Sequence, residues 1–186
     1  MRIERKTSPH FRKGRAGYKP THIVIHISDG NLESLDNTFA NPLSKVSSHY
    51  GIGKKAQIHQ YVDEKDTAFH AGIIRNPTAA VVIKNRSLNP NYYTIGIEHE
   101  GKATDAWPQE QFFASAQLIA EIAARWSIPI DADHVIPHRA IRADKSCPGF
   151  VVDLVKLIEL AKQFAKEAPA GIPAPGERAS GIDSTA

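Results

Sequence analysis

The chain has 186 residues, of which 41% are hydrophobic and 23% charged, as is typical of a globular protein with one domain and a buried core. Its formal net charge of +3 is mild, so the overall charge gives no strong indication of an anionic partner. No stretch approaches the roughly eighteen apolar residues of a membrane-spanning helix, so we expect no membrane insertion.

Basic residues are concentrated in positions 1–20, which we interpret as a basic N-terminal arm with Glu4 as its one acidic residue. We favour a solvated leader that lies across the domain over an arm attracted to nucleic acid or teichoic acid. Because Phe11 and Tyr18 are the only aromatic residues in this segment, we expect no nucleic-acid partner. The segment lacks the apolar core of a secretory signal, which predicts synthesis in the cytoplasm without a signal peptide.

The first predicted element is a core strand at residues 22–27, which are rich in β-branched side chains. A short helix is predicted at residues 33–41. Residues 49–52 and 56–62 then predict two strands joined by a tight turn at Gly53-Lys54. Strands therefore dominate the first third of the chain, with one helix between them.

Residues 92–98 predict a fourth strand, and two helices follow. Pro108 opens the clearer helix, because proline is well tolerated in a first turn, and the pattern continues to about Trp126. Apolar side chains recur on its predicted inner face: Phe112, Ala116, Ile119, Ile122, Ala123 and Trp126. A second helix is predicted over about 151–167, with inner residues that include Val152, Val155, Ile158 and Leu160. Strands interleaved with helices indicate an α/β layer architecture, and residues 169–186 predict a flexible Pro/Gly/Ala-rich tail.

His26, His138 and Cys147 are the candidate metal ligands. His26 lies near the end of the first predicted strand, where an imidazole is held rigidly, but a histidine hydrogen-bonded at a sheet edge would explain it equally well. Cys147 is the only cysteine, so it is a buried filler, a reactive thiol or a ligand. It shares one loop with His138. Two imidazoles and one thiolate would leave the fourth tetrahedral position of zinc free, which is typical of a catalytic site.

Glu98 and Lys145 are the candidate catalytic residues. A carboxylate on a core strand is costly unless it is paired or functional, so Glu98 is either a general base or the partner of an arginine. Glu100 competes for this role because it lies on the same strand face. Lys145 lies two residues before Cys147 and points to the same side if the loop is extended. Its ammonium would then stabilise a developing oxyanion, whereas a solvated loop lysine is the alternative.

The remaining histidines are less easily assigned. Three of them could either line a cleft or be structural residues: His49, His59 and His70. Four others are interpreted as structural or surface residues: His10, His22, His99 and His134. We take His70, His49 and the neighbouring Tyr50 as candidate substrate-binding residues.

Five segments in order resemble the N-acetylmuramoyl-L-alanine amidase family, which includes phage lysozyme-amidases, autolysins and animal peptidoglycan recognition proteins. Together they cover roughly residues 20–165, nearly the whole part expected to fold. The segments are Ile23-Val24-Ile25-His26, Val46-Ser47-Ser48-His49-Tyr50-Gly51-Ile52, Thr67-Ala68-Phe69-His70-Ala71-Gly72, Thr94-Ile95-Gly96-Ile97-Glu98, and His138 with Lys145-Ser146-Cys147-Pro148-Gly149. The implied fold is a single domain, at residues 21–168, with a central mixed β-sheet flanked by helices.

The resemblance implies a Zn²⁺ cofactor on His26, His138 and Cys147, with Glu98 as the catalytic carboxylate and Lys145 as an electrophilic helper. It also implies hydrolysis of the amide between the lactyl group of N-acetylmuramic acid and L-alanine. The implied partner is therefore bacterial peptidoglycan.

The chain departs from some members of the family at Ser48, where those members use a tyrosine, so that role is not carried over. Cys147 and Lys145 distinguish it from the non-catalytic recognition members, which typically lack the thiolate ligand. Cytoplasmic muropeptide-recycling amidases commonly have aspartate in place of Cys147, which favours a lytic, endolysin-like enzyme. The alternatives are a recycling amidase and a non-catalytic peptidoglycan-binding module. We expect a monomer that acts on the cell wall after release or non-classical export.

Overall fold

A six-stranded mixed sheet forms the centre of the computed structural model, which describes residues 1–167. The predicted tail at residues 169–186 lies outside the described residues. The strands are β1 (Ile3–Arg5), β2 (Phe11–Arg12), β3 (His22–Ile25), β4 (Tyr50–Ile52), β5 (Ile58–Gln60), β6 (Thr67–Ala68), β7 (Thr94–His99) and β8 (Val135–Pro137). The helices are α1 (Leu32–Ala40), α2 (Ala80–Lys84), α3 (Gln109–Trp126) and α4 (Leu154–Glu167), with 3₁₀ turns at Pro90–Tyr92 and His138–Ala140.

The strand order of the main sheet is β1-β5-β4-β7-β3-β8, and β2 and β6 form a separate antiparallel pair. The strands β4, β7, β3 and β8 are parallel to one another. Their carboxyl ends therefore meet at one edge of the sheet, where binding sites of such sheets commonly form. His26 follows β3, Glu98 lies near the end of β7, and His138 follows β8. The topology thus brings residues that are far apart in sequence to the same edge.

The central strands are covered on both faces, which explains why their sequences are nearly all apolar. On one face, Ile23 and Ile25 belong to the main core together with Leu118 of α3 and Leu157 of α4. On the other face, Val24 packs in a second cluster that contains Ile136, Val82 and Ile141. The side chains of the first predicted strand therefore alternate between two buried faces.

Both long predicted helices are present, and the first matches its predicted start closely. α3 begins at Gln109, directly after Pro108. α4 begins at Leu154 instead of about residue 151, and the prediction that Val155 points inward is wrong, because its side chain is 72% exposed. The inner face follows the helical spacing of four other residues, Leu154, Leu157, Ile158 and Ala161. No helix formed by residues 1–167 is long and apolar enough to cross a membrane.

The first twenty residues are more closely integrated into the domain than the predicted solvated arm. β1 is an edge strand parallel to β5, and β2 pairs with β6. Arg15 is only 5% exposed, and its guanidinium donates to the carbonyl oxygens of Glu64 at 2.6 Å and Thr94 at 3.0 Å. The basic segment therefore contributes both sheet structure and a buried anchor.

Candidate metal centre

The three predicted ligands converge at the carboxyl edge of the parallel strands. The candidate ligand atoms of His26, His138 and Cys147 all lie within 4.8 Å of one another, and the three residues are buried. Ligands of a tetrahedral zinc ion are roughly 3.5 Å apart, because Zn–N and Zn–S bonds are about 2.0–2.3 Å long. The two imidazoles and the sulphur atom therefore fit Zn²⁺ after small shifts.

Both histidines use their Nε2 atoms for hydrogen bonds within the protein. His138 Nε2 lies 3.0 Å from the carbonyl oxygen of Ala71, which can only accept, so the ring donates there and Nδ1 keeps its lone pair. His26 Nε2 lies 3.0 Å from His70 Nδ1. On the opposite side of its ring, His26 Nδ1 lies 3.8 Å from the carboxylate of Glu98. The Nδ1 atoms are consequently the nitrogens available to a metal.

The surroundings of the Cys147 thiol favour its deprotonation only when a cation is bound. Burial, followed by the negative charge of Glu98, raises the pKa of this thiol far above its ordinary value, whereas the charge of Lys145 lowers it. The backbone N–H of Ile27 donates to the sulphur at 3.0 Å, which stabilises a thiolate. A bound divalent cation would reverse the effect of burial, because a coordinating thiol is deprotonated.

Glu98 provides a carboxyl group beside these ligands. Its side chain is 16% exposed, and its Oε2 is buried with no hydrogen-bond partner among residues 1–167. Burial raises the pKa of Glu98 to about 8, and the positive charge of Lys145 opposes this increase. A carboxyl group with a pKa near neutrality and an unused oxygen is suited to accept and release a proton during catalysis.

Glu100, the competing carboxylate, is engaged elsewhere. Its Oε2 accepts a hydrogen bond from the backbone N–H of Lys54 at 3.0 Å, in the turn between β4 and β5. The arginine salt bridge that was the alternative for Glu98 is also absent from the ion pairs formed by residues 1–167. The structure therefore favours Glu98 over Glu100 as the carboxyl group of the site.

Lys145 lies on the loop that carries Cys147, and its side chain is exposed. Its charge influences the pKa values of Glu98, His138 and Cys147, which places the ammonium on the same side of the molecule as the candidate ligands. The three candidate ligands and Glu98 are thus brought together, and the charge of Lys145 acts on them from the same loop as Cys147.

The predicted substrate-binding residues are not at the surface. His49 is fully buried, and its Nδ1 accepts from the backbone N–H of Gly96 at 3.0 Å. Tyr50 is 2% exposed, and its hydroxyl donates to Glu64 at 2.7 Å. His70 is 8% exposed, and its Nδ1 faces Nε2 of His26 at 3.0 Å. The structure does not bring these three side chains into contact with a substrate-accessible surface.

Several residues support the candidate site, and two of them, Thr94 and Asn91, were not identified from the sequence. The ring of His99 lies 2.9 Å from the backbone carbonyl of His26 and stacks on Trp107 with ring centroids 3.8 Å apart. The side chains of Thr94 and Asn91 contact His70. Strand alternation offered a signal for Thr94, because it shares a face with Glu98; Asn91 lies in a 3₁₀ turn, where no comparable pattern exists.

Comparison with known proteins gives consistent results. Residues 16–150 match the family model described as N-acetylmuramoyl-L-alanine amidase. The N-acetylmuramoyl-L-alanine amidase A of Achromobacter lyticus is 35% identical over 134 residues, which are 66% of this chain and 67% of that protein. The 1,6-anhydro-N-acetylmuramyl-L-alanine amidase AmpD of Salmonella typhimurium is 27% identical over 82% of this chain and 87% of its own length.

Solved structures share the fold. A crystal structure of an AmpD derivative superposes with a TM-score of 0.71 at 24% identity, covering 85% of this chain and 93% of that one. A mutant endolysin from Bacillus subtilis gives a TM-score of 0.59 at 21% identity, and the superposition covers 89% of this chain and 97% of the endolysin. The predicted architecture, a central mixed sheet flanked by helices in one domain, is confirmed.

Proposed function

Because this chain belongs to the N-acetylmuramoyl-L-alanine amidase family, we propose that it hydrolyses the amide between N-acetylmuramic acid and L-alanine of peptidoglycan with Zn²⁺ held by His26, His138 and Cys147. Its homologues are amidases, so hydrolysis of this amide is the family reaction. The observation that supports the zinc proposal is the convergence of two imidazoles and one thiol within 4.8 Å, beside a carboxyl oxygen of Glu98 that has no partner in the described part of the chain.

When bound, Zn²⁺ supplies Lewis acidity that polarises the scissile carbonyl and lowers the pKa of water at the site. In our proposal the carboxylate of Glu98 accepts the proton of the attacking water, because its Oε2 has no hydrogen-bond partner within residues 1–167. The same carboxyl group then delivers a proton to the nitrogen of the departing L-alanine. Lys145 Nζ donates to the oxyanion that develops on the scissile carbonyl.

We further propose that the enzyme is lytic and acts on the assembled cell wall. Support comes from the thiol ligand Cys147, since recycling amidases commonly have aspartate at this position. A recycling amidase is the second candidate, because AmpD is similar in sequence over 82% of the chain and similar in fold. The two candidates differ in substrate: intact peptidoglycan for a lytic enzyme and small 1,6-anhydro-muropeptides for an AmpD-like enzyme.

The test is to incubate Zn²⁺-loaded protein with purified peptidoglycan, and separately with 1,6-anhydro-muropeptides, and to measure new L-alanine amino termini, new reducing ends and binding to the wall. We expect amino termini without reducing ends, and faster release from intact peptidoglycan. Faster release from the muropeptides would favour the recycling enzyme, and new reducing ends would indicate a glycosidase. Binding to the wall without either product would indicate a non-catalytic module. If the protein neither binds the wall nor releases product, it is an unrelated hydrolase.

The metal assignment is tested with Cys147→Ser, which removes the thiolate ligand. We expect bound zinc and activity to disappear together, as measured by elemental analysis after gel filtration. Ser146→Ala, a change at the neighbouring exposed position, is the matched control and should retain both. Full zinc content in Cys147→Ser would contradict the proposed ligand set.

A further inference from the structure

Two consecutive residues, His70 and Ala71, contact both histidines of the candidate metal centre. His70 Nδ1 lies 3.0 Å from Nε2 of His26, and the carbonyl oxygen of Ala71 lies 3.0 Å from Nε2 of His138. Both contacts are on the far side of the imidazole rings from the nitrogens that face the metal position. One short segment therefore orients both rings.

A chain of hydrogen bonds fixes the position of the proton on His26. The Thr94 hydroxyl donates to the carbonyl oxygen of Pro90 at 2.8 Å, because a carbonyl can only accept. Since the hydroxyl has one hydrogen, His70 Nε2, 3.1 Å away, must donate to Thr94 Oγ1. A neutral imidazole has one N–H, so His70 Nδ1 is an acceptor and His26 Nε2 donates to it. His26 Nδ1 consequently bears the lone pair, as a metal ligand requires.

The surroundings of His70 hold it firmly in this position. Asn91 Oδ1 accepts from the backbone N–H groups of His70 at 3.1 Å and Ala71 at 2.9 Å. The carbonyl oxygen of Asn91 in turn accepts from the buried guanidinium of Arg15 at 3.2 Å. The His70 ring packs directly on Gly96, where an added Cβ would lie 2.5 Å from the ring carbon Cγ. His70 is therefore fixed through its backbone and its side chain.

We propose that His70, supported by Thr94 and Asn91, is a positioning residue that holds His26 with Nδ1 directed at the metal. This inference rests on the proposed zinc site and replaces the prediction that His70 contacts substrate. Hydrogen-bonding partners of metal-bound histidines fix the tautomer and ring orientation, and their loss typically costs about 10–100-fold in metal affinity.

The test compares His70→Leu with His70→Asn in the full chain. Leucine fills much of the space but accepts no hydrogen bond, whereas the Oδ1 of asparagine can occupy the place of Nδ1 and accept from His26. We expect His70→Leu to bind zinc about 10–100-fold more weakly in competition with a chromogenic chelator, and His70→Asn to retain most of the affinity. The visible absorption spectrum of the Co²⁺-loaded protein should change for His70→Leu and remain close to wild type for His70→Asn.

Thr94→Val is the second variant, in case His70→Leu does not fold, as judged by circular dichroism of the metal-free chain. Valine is nearly isosteric with threonine and removes the acceptor for His70 Nε2. We expect a smaller but measurable loss of zinc affinity, because His70 is then no longer fixed in one tautomer.

The outcomes separate this inference from the proposed function. If wild-type protein binds no zinc, the proposed function fails. If wild-type protein, His70→Leu and Thr94→Val bind zinc equally well while the KM for peptidoglycan rises, His70 contacts substrate and the inference is wrong. Equal losses in His70→Leu and His70→Asn would also overturn it, because the hydrogen bond to His26 would then be irrelevant.

Discussion

At the scale of single residues, the chemistry of the site depends on how little water reaches Glu98. The carboxyl group has one oxygen near His26 and one with no partner among the residues that the structure describes. Burial, which the charge of Lys145 only partly offsets, raises its pKa to about 8, so the group binds a proton far more readily than a surface glutamate. The same lack of partners makes Glu98 a poor structural residue and a good acid–base group.

We expect Glu98→Gln to lower kcat by about 100- to 10,000-fold, the usual contribution of a general acid–base group, while zinc remains bound. Amide release from peptidoglycan and zinc content would both be measured. Glu100→Gln is the matched control, since Glu100 lies nearby but bonds to the backbone of Lys54. Full activity in Glu98→Gln, or an equal loss in both variants, would show that Glu98 is not the base.

The residues of the site differ in how far their roles could be predicted from sequence. Residue type and position at the ends of predicted elements suffice to predict His26, His138 and Cys147 as candidate ligands, because few residue types bind zinc. The assignments of His49 and Tyr50 to substrate binding lack support, since burial depends on which segments cover a strand. The spacing of residues along one strand does not reveal those segments.

At the scale of elements, β7 supplies three positions of the candidate site on one face: Thr94, Gly96 and Glu98. Strand alternation explains this arrangement, with a spacing of two residues between each pair. On the strand pattern alone, Gly96 would leave room beside the carboxylate of Glu98. The structure instead shows that the ring of His70 fills this space.

We expect Gly96→Ala to destabilise the chain by about 1–3 kcal/mol, the usual cost of overpacking a buried site. The added methyl group would displace the His70 ring, so zinc affinity should decrease as well. Urea unfolding of the metal-free chain would measure the change in free energy. In a His70→Ala background the same substitution should cost much less, and an equal cost in both backgrounds would contradict the assigned contact.

Element length and turn signals together decided which elements could be predicted. β4 and β5 have three residues each, but the turn at Gly53-Lys54 between them made the pair recognisable. α3 has eighteen residues and a sustained apolar period, so its position was predicted to within one residue. β1, β2 and β8 have two or three residues each and were missed. Such short segments show too few alternations to be distinguished from loops, and neighbouring strands decide whether they pair.

At the scale of the whole molecule, buried histidines connect folding to pH. His22 is 8% exposed and stacks on His134, with ring centroids 4.9 Å apart. Burial, and then the charge of His134, lowers the pKa of His22 to about 4. In the unfolded chain the pKa returns to about 6.5, so the unfolded state takes up protons first as the pH falls.

We therefore expect the stability that depends on His22 to be fully present above pH 6.5 and to be lost progressively as the pH falls towards 4. His22 alone should account for about 2 kcal/mol between pH 7.5 and pH 5. Urea unfolding at several pH values would measure this slope, and His22→Asn should reduce it. An unchanged slope in His22→Asn would show that this histidine is not responsible.

The pairing of β1 with β5 also determines where the chain can safely be shortened. In the intact chain the open edge is β1, whose exposed and charged Glu4 and Arg5 discourage strand addition. Without residues 1–6 the edge would be β5, whose residues are buried in the intact chain. We expect such a truncated chain to associate through strand addition, with a concentration-dependent increase in particle size by light scattering. A truncated chain that stays monodisperse would contradict this view. Residues 1–6 thus cover the edge of β5 and prevent it from pairing with the same strand of another copy of the chain.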